Sequence, residues 1–307
     1  MSRDVLDLGA RPGTAPVARD RPLRDLGAPA PRASPLGLAT STVVRTTFER
    51  FELKFWVTAP TADRVVRFAR PYLEHDPFSR DGNLTRNVSL YLDTRGYRFH
   101  ALHTSGAPER LKLRVRTYGD PPTSPLSPSE PSGRVGFFEV KRKVKNITLK
   151  ARATLPLEHV PAVLSGRPDL ASCAPAERRH LETFLFLSAL HRVEPKVFIA
   201  SRREAFVSRT RGVDVRMTID REIAYQPAYG RHFSAAPHRW TVIDGRGGRC
   251  APYGAARALV ELKFRGAAPA WMAEMVARFE MRQEGFSKYI AAIDHLQGKR
   301  SGDGDDR

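Results

Sequence analysis

The sequence predicts an α+β domain built on an antiparallel β-barrel with flanking helices. At least five short segments alternate apolar and charged residues with period two, the mark of strands with two chemically different faces. Stretches of helical periodicity interrupt them without a regular βαβ alternation, which excludes a doubly wound parallel sheet. The charged faces are overwhelmingly cationic, so closure into a barrel would turn them onto a shared lumen.

In chain order, Met1 to about Val44 is Ala, Arg, Pro and Gly with few large apolar residues, too little to offset the entropy of ordering. Residues 1–44 are expected to form a disordered basic tail, 45–297 the folded domain, and 298–307 a disordered polar end. In RFELKF, Arg50, Glu52 and Lys54 share one face, with Phe51, Leu53 and Phe55 on the other. Helical spacing covers Thr61 to Tyr72. In LKLRVR, Lys112, Arg114 and Arg116 oppose Leu111, Leu113 and Val115. The Pro/Ser stretch Gly119–Gly133 reads as a long hairpin loop. In FEVKRKVK, Glu139, Lys141, Lys143 and Lys145 oppose Phe138, Val140 and Val144, with Arg142 as the exception. A helix is expected around Ala176–Arg192, then strands in VRMTID (Arg216, Thr218, Asp220) and VELKF (Glu261, Lys263), and helices around Pro269–Arg282 and Ser287–Leu296.

Composition narrows the partner. The formal net charge of +18 points to an anion, without choosing between nucleic acid, anionic lipid and a small polyanion. Cys173 and Cys250 form no CxxC pair and no zinc spacing, which fits a reducing cytoplasm. No run approaches the roughly 20 apolar residues of a membrane span, and Asp, Arg and Pro interrupt the N-terminus where a signal peptide needs an apolar stretch. Ten lysines stand against forty-one arginines, and eight of the ten fall in the segments named here or below, as if those sites require a compact ammonium.

A single apolar/charged strand is ordinarily half-solvated sheet. Here an acid precedes a lysine by two residues three times (Glu52/Lys54, Glu139/Lys141, Glu261/Lys263), and the cationic faces recur across the domain. Converging cations repel unless a polyanion lies among them. A phosphate chain suits such a lumen through charge-assisted hydrogen bonds, and the acids suit a hard divalent cation. Other features read as ordinary structure: His100 and His103 lack a third ligand, GRGGRC lacks the Lys-Ser/Thr of a P-loop, Lys143 and Lys145 suit a solvated strand end, and Lys263 suits a salt bridge.

The segments RFELKF, YLDT (Tyr91–Thr94), LKLRVR, FFEVKRK, KAR (Lys150–Arg152), the RREAF run from Arg202, VRMTID, VELKF and FSKY (Phe286–Tyr289) occur in one order over about Thr46–Leu296. In this the chain resembles the polyphosphate-polymerase domain of the vacuolar transporter chaperone family, within the triphosphate tunnel metalloenzymes. The resemblance implies that Lys54, Arg114, Arg116, Lys141, Lys150, Arg203 and Arg216 bind phosphates, with Ser287 and Lys288 completing the tunnel. It implies Glu261 as the ligand of Mn²⁺ or Mg²⁺, and Lys288, Arg216 and Glu261 as the catalytic set. The activity implied is transfer of the γ-phosphoryl of ATP to inorganic polyphosphate. The scarcity of aromatic residues interleaved with the basic faces stands against a specific nucleic acid partner. A metal-dependent triphosphatase and a non-catalytic polyanion-binding module are the alternatives. Ser201 stands where characterised eukaryotic members carry tyrosine. The first strand reads Arg50, Glu52, Lys54 rather than the ExExK of tunnel triphosphatases, which favours the polymerase.

Overall fold

A computed structural model describes residues 50–77, 84–126, 133–145, 147–243 and 256–298. The tail 1–44, the GRGGRC run, Cys250 and the last nine residues, and part of the Gly119–Gly133 loop, lie outside the described residues. The described residues belong to the unit Thr47–Arg307.

The elements run β1 (Arg50–Thr58), α1 (Ala59–Ala69), β2 (Leu73–His75), β3 (Thr85–Asp93), α2 (Arg98–Thr104), β4 (Glu109–Tyr118), β5 (Val135–Val144), β6 (Ile147–Pro156), α3 (Val160–Leu164), α4 (Arg178–His191), β7 (Glu194–Ser208), β8 (Val215–Pro227), β9 (Thr241–Val242), β10 (Arg257–Arg265), α5 (Ala270–Arg278) and α6 (Lys288–Leu296). Thr58 caps α1 by accepting from the Thr61 amide at 3.3 Å, with Pro60 in the first turn where its missing N–H costs nothing. The strands form one antiparallel sheet in the order β1-β10-β8-β7-β3-β4-β5-β6, with β2 and β9 pairing at its sides.

Period-two alternation sorts this sheet into two faces. On one face Phe55, Val260, Ile219 and Met217 pack under α1 and α5 through Val65, Met272 and Met275. Further along the same face Leu90, Leu113, Phe138 and Phe198 pack with Leu181 and Phe184 of α4. Arg142 falls on this apolar side because its register places it opposite Leu111 and Leu149, and it donates to Glu109 at 2.7 Å. The opposite face is polar and concave: Glu52 on β1 acts electrostatically on Lys141 of β5, and Arg50 acts on Lys150 of β6, across strands far apart in the ladder.

The sheet is not closed. Among the described residues β1 and β6 do not pair with each other, so the expected barrel is an open curved sheet, and the reason is visible at both edges. Lys54 of β1 accepts from the Glu284 amide at 2.9 Å, and Phe55 makes a bridge with Gln283, so the segment before α6 occupies that edge. On β6, the Thr154 amide donates to Glu177 at 2.6 Å, and the Arg152 carbonyl pairs with His180 Nδ1 at 2.8 Å, so α4 and its N-terminal flank satisfy the other. One end of the concave face is stopped by α6, whose Tyr289, Ala292 and Ile293 pack on Trp56, Leu259, Val197, Ile199 and Tyr225. Burying side chains of this size contributes about 1.5–3 kcal/mol each, which is enough to hold the helix inside a polar cavity.

Candidate functional site

The ladder aligns the concave side chains in rows. Lys112 of β4 lies directly opposite Lys141 of β5, which lies directly opposite Lys150 of β6. Like charges directly opposite are destabilising, and none of these lysines has an ion-pair partner within 4.0 Å among the described residues. All are pushed below the usual lysine range, by loss of water and then by neighbouring cations; Lys112, which donates to Ser287 Oγ at 2.9 Å, falls to about 8.

The next row is balanced. Glu139 accepts from Arg114 Nε at 2.5 Å and Arg152 Nε at 2.9 Å, with Arg116 at 4.0 Å. Burial raises the Glu139 carboxyl, but the three guanidinium groups outweigh it and bring it to about 2. Arg114 also donates to the Tyr91 hydroxyl at 2.9 Å, and Arg116 to Ser89 Oγ at 3.0 Å. Burial alone would raise the Tyr91 phenol; Arg114, Arg116 and Lys112 bring it to about 8. Its ring stacks on Tyr289 at 5.1 Å, and the Tyr289 hydroxyl donates to Asp93 at 2.5 Å.

Asp220, fully buried on β8, gathers a second group. It accepts from Arg203 Nε at 2.8 Å and Nη2 at 2.6 Å, from Ser201 Oγ at 3.2 Å and from Lys288 Nζ. Desolvation disfavours its charge, yet Arg203 and Lys288 hold the carboxyl far below the usual carboxylate range. A bulge makes room: the β7–β8 register slips between Ala200 and Arg202, and Glu222 opposite takes φ 49°, a left-handed conformation rare outside glycine. Lys288 arrives because Ser287 caps α6, its oxygen 3.4 Å from the Ile290 amide, so the helix N-terminus faces the same space.

Glu261 of β10 accepts from Lys263 Nζ at 2.8 Å and sits 3.9 Å from Lys54, which also meets Glu52 at 3.0 Å and donates to the Phe286 carbonyl at 2.9 Å. Burial pushes the Glu261 carboxyl up, but Lys263 and Lys288 bring it to about 2. Directly across the ladder, Thr218 Oγ1 is buried without a hydrogen-bond partner on the same face. An ionised carboxylate beside an orphaned hydroxyl oxygen is a hard donor set, and among the described residues no cluster of three or more His, Cys, Asp or Glu forms. These residues fit a divalent cation that takes most of its ligands from phosphate and water.

The fold thus gathers Lys54, Arg114, Arg116, Lys141, Lys150, Arg203, Glu261, Ser287 and Lys288 onto one face. Arg216 stands apart toward the open end, side chain half exposed, opposite Lys263 and 3.9 Å from Asp76. His100 pairs with Asp294 at 2.8 Å between α2 and α6, while His103, desolvated beside Lys112 and Arg110, falls to about 4. Lys143 is half-buried, and Lys145 is exposed in the β5–β6 turn at φ 51°. Sequence reasoning assigned no role to Lys112, Tyr91 or Asp220. Lys112 and Asp220 stood in alternating motifs already in view, but their partners come from cross-strand register, which alternation does not encode.

A family model described as the VTC domain matches residues 49–297. Among solved structures, a Vibrio parahaemolyticus protein described as a candidate adenylate cyclase aligns at 12% identity and TM-score 0.38, covering 80% of this chain and 97% of that one. A Pyrococcus horikoshii OT3 protein aligns at 11% identity and TM-score 0.38, covering 81% of this chain and 100% of that one. Overlaps this loose carry no argument about chemistry. No curated protein matches the chain in sequence.

Proposed function

We propose that this chain, which belongs to the VTC domain family, is a phosphoryl-transfer enzyme that moves the γ-phosphoryl of ATP onto inorganic polyphosphate along its concave cationic face. One observation carries the reading: Lys112, Lys141 and Lys150 stand directly opposite one another with no carboxylate within ion-pair distance among the described residues, an arrangement a bound polyanion relieves. The curved sheet then serves as a tunnel whose charge is completed by its substrate.

Each residue has a part in this scheme. Arg114, Arg116, Lys141 and Lys150 track the chain, Arg203 and Lys288 neutralise the transferring group, and Arg216 meets phosphates at the open end. Phosphoryl transfer proceeds through a loose transition state, so positioning and charge neutralisation supply most of the catalysis. The acceptor is a phosphate oxygen already ionised at neutral pH, so no strong general base is required. Glu261, with Thr218 beside it, would hold Mn²⁺ or Mg²⁺. When bound, the metal would offset charge on the triphosphate. The preference for transfer over hydrolysis rests on the Arg50, Glu52, Lys54 pattern of the first strand.

The test is Glu261→Gln. Metal-dependent turnover of ATP is expected to vanish while the folded state and tripolyphosphate binding persist, and near-normal turnover would remove Glu261 from the metal site.

A further inference from the structure

At the rim of the concave face, where β3, β4 and β5 run side by side, the chemistry changes from cationic to aromatic. Tyr118 is 45% exposed and lies opposite Asn87 in the ladder. Its ring meets Phe137 edge-on, centroids 5.3 Å apart at 69°. Phe137 is in register with Arg116, one of the phosphate-tracking guanidinium groups, and Arg152 lies over the Phe137 ring at 5.0 Å. Glu139 holds Arg152 in place, so the aromatic pair has a fixed floor.

Asn87 adds a second, independent observation. It is 5% exposed and its Oδ1 is buried with no hydrogen-bond partner. A buried acceptor left without a donor is destabilising. Phosphate oxygens, ionised at neutral pH, bring no proton to satisfy it. A ligand part with N–H or O–H donors does, and a flat aromatic ring stacks on an exposed tyrosine. A nucleoside has both.

We propose that Tyr118, Phe137 and Asn87 form a nucleoside subsite that seats the base and sugar of a nucleoside triphosphate while its phosphates run inward past Arg116 toward Arg203. The proposal rests on the reading of the concave face as a phosphate site. It gives the enzyme a way to distinguish its nucleotide donor from the polyphosphate chain, which has no donor groups and no ring.

The experiment compares ATP with methyl triphosphate, which keeps the esterified triphosphate and lacks the nucleoside, by titration calorimetry with Mn²⁺ on the wild-type protein and on Tyr118→Ala. Tyr118 is exposed enough that its removal leaves the fold intact. ATP is expected to weaken about tenfold, the order of one lost base–aromatic stack, with methyl triphosphate unchanged within twofold. Asn87→Leu is expected to weaken ATP selectively as well. If ATP affinity is unchanged in Tyr118→Ala, or both ligands weaken equally, the subsite is overturned while the phosphate reading stands. If the wild-type protein binds neither ligand, the phosphate reading fails and takes the subsite with it. A 5′-triphosphorylated oligonucleotide that binds no tighter than ATP supports a single nucleoside as the occupant; one that binds a hundredfold tighter overturns that assignment in favour of an RNA end.

Discussion

Replacing Asp220 with Asn tests how the concave face stays folded without its ligand. The carboxylate is fully buried and takes both the Nε and Nη2 donors of Arg203, together with Lys288 and Ser201. The amide keeps the shape and removes the charge, leaving two buried cations short of a counter-ion. Breaking a buried pair in this way costs about 3–5 kcal/mol. For a domain of this size each kcal/mol moves the melting temperature by roughly 2–4 °C, so melting is expected to fall by roughly 6–20 °C in scanning calorimetry. Tripolyphosphate offers replacement oxygens to Arg203 and Lys288. At a hundredfold excess over its Kd a ligand adds about 2.7 kcal/mol, and the gap between Asp220→Asn and wild type is expected to narrow as it is added. A variant as stable as wild type, or a deficit that tripolyphosphate leaves untouched, would refute the assignment of Asp220 as the resident counter-charge of the site.

Glu139 makes a pH prediction. Its carboxyl is held at about 2 against an ordinary 4.5, so it contributes stability that is present above the unfolded pKa and lost as pH falls through the folded one. Wild-type stability is expected to drop between about pH 4.5 and pH 2, and Glu139→Gln to flatten that part of the curve in denaturant titrations at stepped pH. Lys112 and Tyr91 both lie at about 8, below their ordinary 10.5 and 10.0, so between pH 8 and 10 these two groups hold fewer protons in the folded protein than in the unfolded chain and their contribution to stability rises with pH. A polyanion favours the protonated form of both groups, so tripolyphosphate binding near pH 8 is expected to take up protons, seen as a binding enthalpy that varies with the buffer's ionisation enthalpy. Lys112→Met is expected to reduce that uptake, and a buffer-independent enthalpy in the wild-type protein would contradict the linkage. Oligonucleotides are expected to displace bound ATP far less well than short polyphosphate, a comparison that fluorescence competition settles.

The alternation of RFELKF, LKLRVR, FEVKRKVK, VRMTID and VELKF placed β1, β4, β5, β8 and β10 because each has one face on a helix-covered core and the other on the concave side. The strands that alternation left unread failed that pattern for a reason. In β3 every residue from Asn87 to Asp93 is buried, and in β7 the run Val197–Ser201 is too: Leu90 and Phe198 lie in the helix-covered core, α6 covers Tyr91, Val197 and Ile199, and Ser89 accepts from Arg116. The open sheet was also beyond the sequence, because the groups that block closure, Gln283, Glu284, Glu177 and His180, are brought to the edges by tertiary packing. The cationic motifs marked the side chains that line the concave face. The opposition of Lys112, Lys141 and Lys150 and the gathering of Arg203 and Lys288 on Asp220 depend on register and on α6 entering the cavity, and period-two alternation is silent on both.

Incubation of the purified protein with ATP and Mn²⁺, with and without a pyrophosphate primer, tests the central claim most directly, with products resolved by gel and by free-phosphate assay. Long polyphosphate with stoichiometric ADP is the predicted result. Free phosphate without chains would contradict it in favour of a triphosphatase, and tight polyphosphate binding without turnover in favour of a binding module.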